Sequence, residues 1–257
     1  MKPPKFDYHA PPTVDEAIAL LTRYGGEAKL LAGGQSLVPL LNFRLSRPAA
    51  LIDLNRIPSL AYIREADGYV RLGAMTRQRT IEFSPVVRRR LPLLAEATAL
   101  VGHLPIRTRG TIGGSLAHAD PSAEYPTTLA ADEMLVEVRL PVMPDGAGFA
   151  FEEFSRRQGD FAIVGIAAMV IGQGASCTAA RLATAGAGPS PVRLRGAEEI
   201  LEREGLSEAA IEAAARRAAQ LVDPPSDIHA SADYRRNLTR VLTGRALRRA
   251  IARMGGA

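Results

Sequence analysis

Cysteine is nearly absent from this 257-residue chain, with Cys177 the only one. No disulfide can form within it, and its own thiolates cannot by themselves ligate zinc or an iron–sulfur cluster. That favours a reducing, cytoplasmic setting. Tryptophan is missing and aromatic residues make up 5% of the sequence, too few for a surface on which single-stranded nucleic acid would stack. Lysine is scarce too: Lys2, Lys5 and Lys29 are the only three among 32 basic residues. The net charge of +5 is therefore carried by arginines. They are spread along the chain and interleaved with Asp and Glu, which reads as solvated helix faces, with a docking surface for an acidic partner as the alternative. The first residues, Met1–Pro12, hold no apolar core and do not read as a signal peptide. Phe161–Gly172, the longest apolar stretch, is too short to span a bilayer and reads as a buried strand.

Familiar catalytic signatures are missing as well. No lysine follows a glycine, so there is no phosphate loop of the Gly-Lys-Ser/Thr kind, and no Gly-x-Gly-x-x-Gly occurs. There is no Gly-x-Ser-x-Gly elbow. The four histidines (His9, His103, His118 and His229) are scattered, with no pair at i,i+4 spacing, which argues against a metal site. His118 follows the second glycine run and is a ligand candidate or a capping residue. Cys177 sits among apolar neighbours and reads as a buried, inert thiol.

What the chain does have is two glycine runs, Ala32-Gly33-Gly34-Gln35-Ser36-Leu37 and Thr111-Ile112-Gly113-Gly114-Ser115-Leu116. A Gly-Gly pair lets successive N–H groups converge on one point, and such a nest attracts an anion, most often a phosphate. Two runs on distant segments suggest two loops gripping the two phosphates of one dinucleotide; ordinary turns are the alternative. Ser36 and Ser115 have no evident histidine partner and read as hydroxyl donors. Asp120 and Glu124 are four apart. They are candidates for acid–base work, for accepting hydrogen bonds from a ribose, or for capping a helix near Pro121.

At 257 residues and 47% hydrophobic content, the chain is long enough for two or three domains. Thr13 and Glu16 form a capping box before a helix that Gly25-Gly26 stop. Lys29–Ala32 reads as a strand running into the first glycine run, Leu37–Leu45 as a helix and Leu51–Leu54 as a second strand. That is a small βαβ unit with its loop at a strand's carboxyl end, where ligands prefer to sit. Asp67-Gly68 predicts a hairpin between residues 61–65 and 69–73. Helices are expected at 76–83, 92–100 and 121–131, and a strand at 134–140. A Pro/Gly-rich linker spans 141–148. Strands near 149–154, 162–171 and 177–185 follow, and helices at 193–204, 207–221 and 232–254 close the chain.

Four of these segments, in this order, are similar to one family. Ala32–Leu37 with Ile52-Asp53-Leu54 resembles the first FAD-contacting segment of the medium subunits of molybdenum hydroxylases. Ile106–Ser115 is similar to the second. Phe154-Ser155-Arg156-Arg157-Gln158-Gly159-Asp160-Phe161-Ala162 resembles the entry to that family's third domain, and Asp233-Tyr234-Arg235-Arg236 also fits. The resemblance covers nearly the whole chain. It implies an α+β architecture: an FAD-binding fold of the vanillyl-alcohol oxidase type, with two α/β subdomains (1–57 and 58–145) clamping FAD. A C-terminal domain (146–257) of a three-stranded antiparallel sheet and a helix bundle would follow.

By the same resemblance the cofactor-binding residues are Leu31, Ala32, Gly33, Gly34, Gln35, Ser36, Leu37, Thr111, Ile112, Gly113, Gly114, Ser115, Ala117, Asp120 and Glu124. Glu124 takes the ribose carboxylate role and Asp120 is second choice. No catalytic residue and no metal ligand belongs to this chain. The implied partners are a molybdopterin-containing large subunit and a small subunit with two [2Fe–2S] clusters, in a dimer of heterotrimers. Electrons would pass through the clusters to FAD and on to an external acceptor. A stand-alone flavin oxidoreductase and a non-catalytic nucleotide-binding module are the alternatives. The chain departs from the family at Pro105 and Thr108, lacks a basic residue near Glu152, and fuses Leu129-Ala130-Ala131 directly to Asp132-Glu133-Met134-Leu135. A few tens of residues separate those two halves in relatives, forming strands and a loop over the flavin.

Overall fold

A computed structural model describes residues 2–122, 134–157 and 159–255. Glu124, the fusion point after Ala131, Gln158 and all but the first two residues of the helix expected at 121–131 lie outside these. Among the described residues the chain divides into two compact units: residues 2–89, 103–119 and 134–142, and residues 90–102, 120–122 and 143–255.

The first unit opens with a short strand that the sequence did not announce, β1 (Asp7–His9). Helix α1 (Val14–Tyr24) follows, its first turn capped by Thr13 Oγ1 accepting from the Glu16 N–H at 3.2 Å. β2 (Ala28–Leu31), α2 (Leu37–Asn42) and β3 (Ala50–Asp53) complete the expected βαβ unit. All three strands are parallel in the order β1-β3-β2. β3 is central and buried at Ala50, Leu51 and Ile52, which explains its uninterrupted apolar sequence. Ala17, Ala28, Ile52, Leu54 and Ile57 form the core under it.

The same unit holds an antiparallel sheet, β4 (Ile63–Ala66), β5 (Tyr69–Gly73) and β6 (Glu137–Pro141), in that order. Asp67 and Gly68 both take positive φ (55° and 76°) at the β4–β5 turn, as the Asp-Gly pair predicts. Helices α3 (Gln78–Phe83) and α4 (Pro85–Arg90) follow β5.

The second unit contains α5 (Pro92–Leu100) and a sheet of three long antiparallel strands, β7 (Gly148–Phe154), β8 (Val164–Gln173) and β9 (Ser176–Ala185). A two-residue strand, Val192–Arg193, extends the sheet at the β9 edge. The closing helices, Arg195–Glu204, Glu208–Gln220 and Ala232–Ala252, bury an alanine- and leucine-rich face with the sheet's Val164, Ile166, Ala168 and Val170. A Cβ on Gly148 would collide with the Ala250 carbonyl, so the last helix reaches the head of β7 only because that residue is glycine. Arg235, 5% exposed, donates to the carbonyls of Ile163 (2.6 Å) and Gly186 (2.9 Å) and to Asp227 (2.8 Å). Arg235 thus fastens the last helix to the open end of the β8–β9 hairpin, where the chain enters and leaves it.

Candidate functional site

The first glycine run leaves the end of β2. After Leu31 the chain turns through Ala32 and Gly33, and Gly34 takes φ +73°, a region closed to most side chains. Gln35 folds back, its Nε2 donating to the Gly33 carbonyl at 3.0 Å. Ser36 precedes α2, and Leu37 is the first residue of that helix; the Ser36 hydroxyl makes no capping bond. Among the described residues, the N–H groups of Gly33, Gly34, Gln35 and Ser36 donate to no protein acceptor. Four consecutive unpaired donors beside a left-handed glycine are the makings of an anion nest.

The second run differs from the expected loop. Two helices absent from the sequence reading, α6 (Leu104–Arg109) and α7 (Ile112–His118), surround it, and Gly113-Gly114 lies inside the first turn of α7. Its amides are already paired. Ile112 donates to Thr76 O (3.1 Å), Gly113 to Ala74 O (2.9 Å), Gly114 to Thr111 Oγ1 (3.0 Å) and Ser115 to Thr111 O (3.1 Å). The physical reason is packing. A Cβ on Gly113 would meet the Ala74 Cβ at 2.6 Å and its carbonyl at 2.7 Å, so the glycine lets the helix backbone lie on the end of β5. The expectation of a second nest with free N–H groups is corrected on this point. What remains available there is the Ser115 hydroxyl. Ala117 lies further along α7.

The two runs are brought together. A Cβ on Gly33 would meet the Arg109 carbonyl at 2.5 Å and the Gly110 Cα at 2.7 Å, and one on Gly114 would meet the Ala32 Cβ at 3.3 Å. A polar chain that the sequence reading missed runs alongside. Asn55 Nδ2 donates to the Ala32 carbonyl (3.0 Å) and to Asp53 Oδ1 (2.5 Å), and Asp53 Oδ2 accepts from the Tyr8 hydroxyl (2.5 Å). Arg77 donates through Nη2 to Asn55 Oδ1 (2.5 Å) and through Nη1 to the Arg109 carbonyl. Burial lowers the Arg77 pKa, helped by the nearby Arg109 charge, and hydrogen bonding to Asp53 raises that of Tyr8. The one available signal was Asn55, standing two residues beyond a strand end in Ile52-Asp53-Leu54-Asn55.

Asp120 belongs to the second unit, where its Oδ1 accepts from the Ser122 N–H at 2.8 Å; the helix it was expected to cap lies outside the described residues beyond Ser122. Asp120 borders a cavity of about 630 Å³ with Arg156, Asp160, His229 and Arg235. Glu152 pairs with Arg249, from the last helix, at 2.9 Å. Cys177 is buried, and burial pushes its thiol pKa up, which suits an inert role. Among the described residues no group of three or more His, Cys, Asp or Glu side chains is placed to hold a metal ion.

Comparison with known proteins decides the family. Residues 4–162 match the FAD binding domain in molybdopterin dehydrogenase, and residues 149–250 match the CO dehydrogenase flavoprotein C-terminal domain. The chain belongs to the FAD-binding medium subunits of the molybdenum hydroxylases. This medium subunit is 43% identical to the 6-hydroxypseudooxynicotine dehydrogenase complex subunit alpha of Paenarthrobacter nicotinovorans, over 98% of the present chain and 97% of the relative. It is 37% identical to the carbon monoxide dehydrogenase medium chain of Hydrogenophaga pseudoflava, over 98% and 99%. A solved carbon monoxide dehydrogenase from the same organism superposes with a TM-score of 0.95, at 37% identity, over 99% and 100% of the two chains. The α+β, FAD-binding fold expected from the sequence is therefore the fold of this subunit, and FAD is its cofactor.

The medium subunit's own residues fit that group. FAD carries a pyrophosphate, and the nest at Gly33–Ser36 offers four unpaired N–H donors of the kind a phosphate accepts from. The Ser36 and Ser115 hydroxyls add donors, and the close approach of Gly33 to Arg109 keeps the nest free of side-chain bulk.

Proposed function

We propose that this chain is the electron-transfer subunit of a heteromeric molybdenum hydroxylase, receiving electrons from the [2Fe–2S] clusters of a small subunit on FAD and passing them to an external acceptor. Substrate oxidation falls to a molybdopterin-containing large subunit, within a dimer of heterotrimers in the cytoplasm. The observation that carries this reading is the set of four unpaired amides at Gly33–Ser36, packed against the Arg109–Gly114 turn. Leu31–Leu37, Thr111–Ser115 and Ala117 would line the cofactor site, with the Gly33–Ser36 amides and the Ser36 and Ser115 hydroxyls turned to the pyrophosphate. Glu124 would hold a ribose by its place in the family's motif, with Asp120 second. Residues 1–57 and 58–145 are the two FAD-clamping divisions, and 146–257 the third.

When bound, FAD supplies the redox chemistry. The chain's own residues bind and orient it: the amides neutralise phosphate charge, and the Asn55–Arg77 chain holds the two runs in contact. Two facts support partners that carry the other redox centres. Relatives are named as medium chains or as subunits of complexes, and one cysteine cannot ligate a cluster. No helix among the described residues is long and apolar enough to cross a membrane.

The test is a visible spectrum of the protein purified with its native partners, and of the chain alone after addition of FAD. Flavin bands should stay with the chain through gel filtration, and two further subunits should accompany the native sample. A native sample without flavin, or a chain that never travels with other subunits, refutes the reading.

A further inference from the structure

We infer that Asn55 and Arg77 are positioning residues that lock the two glycine runs together, and so set how long FAD stays bound. For its ligand this inference rests on the FAD reading above; its geometry does not.

Each run is held by one carbonyl. On the first, the Ala32 carbonyl accepts from Asn55 Nδ2 at 3.0 Å. On the second, the Arg109 carbonyl accepts from Arg77 Nη1. The two side chains are joined, Arg77 Nη2 to Asn55 Oδ1 at 2.5 Å. The result is an unbroken path from one run to the other: Ala32 carbonyl, Asn55 amide, Arg77 guanidinium, Arg109 carbonyl. The same Arg109 carbonyl faces Gly33, whose notional Cβ would lie 2.5 Å from it. It is thus pressed between the floor of the nest and the guanidinium.

Chemistry dictates both residue types. The joint at position 55 must donate to one carbonyl and accept from a cation at once, and a neutral amide offers both faces. Aspartate there could not donate. At position 77 two N–H groups must diverge in one plane towards two acceptors, which the guanidinium fork does and a lysine ammonium does not. Asn55 is fixed in turn. Its N–H and Nδ2 both donate to Asp53 Oδ1, at 2.9 and 2.5 Å, and Asp53 is held by the Tyr8 hydroxyl. The backbone of Arg77 also bridges to Thr111, at the head of α7.

A rigid nest loses less freedom on closing around a ligand than a loose one, so pre-setting it slows release. The test uses the full chain with the variants Asn55→Ala, Arg77→Lys and the double variant. FAD affinity is read by titration, and amide hydrogen exchange is read on flavin-free protein. Each single variant should weaken FAD binding roughly 10-fold or more, the loss expected for one charge-assisted hydrogen bond. The double variant should be no worse than the weaker single by more than about threefold, because both cut one link. Exchange should quicken together at the paired amides beside both runs, Val38 and Leu40 on the first and Gly110 and Ile112–Ser115 on the second, in either single variant.

Multiplicative losses in the double variant overturn the inference. So does an Arg77→Lys variant that matches wild type while Arg77→Met loses affinity, which would make Arg77 a simple charge. Quickened exchange confined to the segment around the mutated residue overturns it as well. If wild-type protein binds no FAD, the functional reading fails, and the exchange measurement still decides the lock.

Discussion

One carboxyl group is set against its surroundings. Glu153 lies on β7 opposite Gly165 of β8, and its Oε2 is buried without a partner among the described residues. Burial pushes its pKa up to about 7, because a charge is poorly solvated there. The sign of the linkage follows. A carboxyl with a raised folded pKa binds its proton more tightly in the native state, so stability falls as pH rises from about 4.5 to about 7 and stays low above that. The group is only partly buried, and screening reduces the effect to roughly 1 kcal/mol, or about 2–4 °C in Tm for a domain of this size. Glu153→Gln removes the ionisation while keeping the shape. Its Tm should match wild type near pH 5 and exceed it at pH 8. Parallel Tm curves across that range would show that the carboxyl is solvated after all.

Between elements, the decisive contact is backbone to backbone. Gly33 meets the Arg109 turn with no room for a methyl group, whereas nothing lies within 4 Å of a Cβ placed on Gly26. Gly33→Ala must push the β2–α2 turn away from the α6–α7 turn, a strain of about 1–3 kcal/mol. That should appear as a roughly 10- to 100-fold loss of FAD affinity in a chain that still folds. Gly26→Ala, at a compatible backbone angle, should leave affinity unchanged and raise stability by up to about 1 kcal/mol. Flavin titration and thermal melts on the two variants separate a site effect from a folding effect, and equal affinities would remove Gly33 from the site.

The same contact marks where sequence reading stops. Helix caps, the Asp67-Gly68 hairpin and the long strands β7–β9 were legible because their signals are local: a side chain three residues from its N–H, a turn dipeptide, a run of apolar residues. β1 was not, since three residues carry no period and its pairing with β3 is non-local. Helix α7 was misread because Gly-Gly is a poor helix former, and only packing on Ala74 explains it there. The glycine runs themselves could be read. The Asn55–Arg77 chain between them could not, because its members are joined by the fold and not by spacing.

At the scale of the whole chain, the odd feature is length. The alignment with the Hydrogenophaga pseudoflava medium chain runs over 285 positions, more than the 257 residues here. That relative therefore carries residues with no counterpart in this subunit. The family resemblance puts the missing stretch between Ala131 and Asp132, and implies that in relatives it forms strands and a loop over the flavin. A cover of that kind slows ligand escape by adding a barrier that must open first. A chain without it should release FAD faster than its relatives at equal nest chemistry. Inserting the relative's stretch between Ala131 and Asp132 tests this directly. Release is followed by the fluorescence that FAD regains in solution, after dilution of the loaded protein. The insertion should slow release severalfold while leaving the association rate within about threefold, since affinity differences between related complexes reside mostly in dissociation. Equal release rates would mean that the stretch is no cover and that the nest at Gly33–Ser36 alone governs retention.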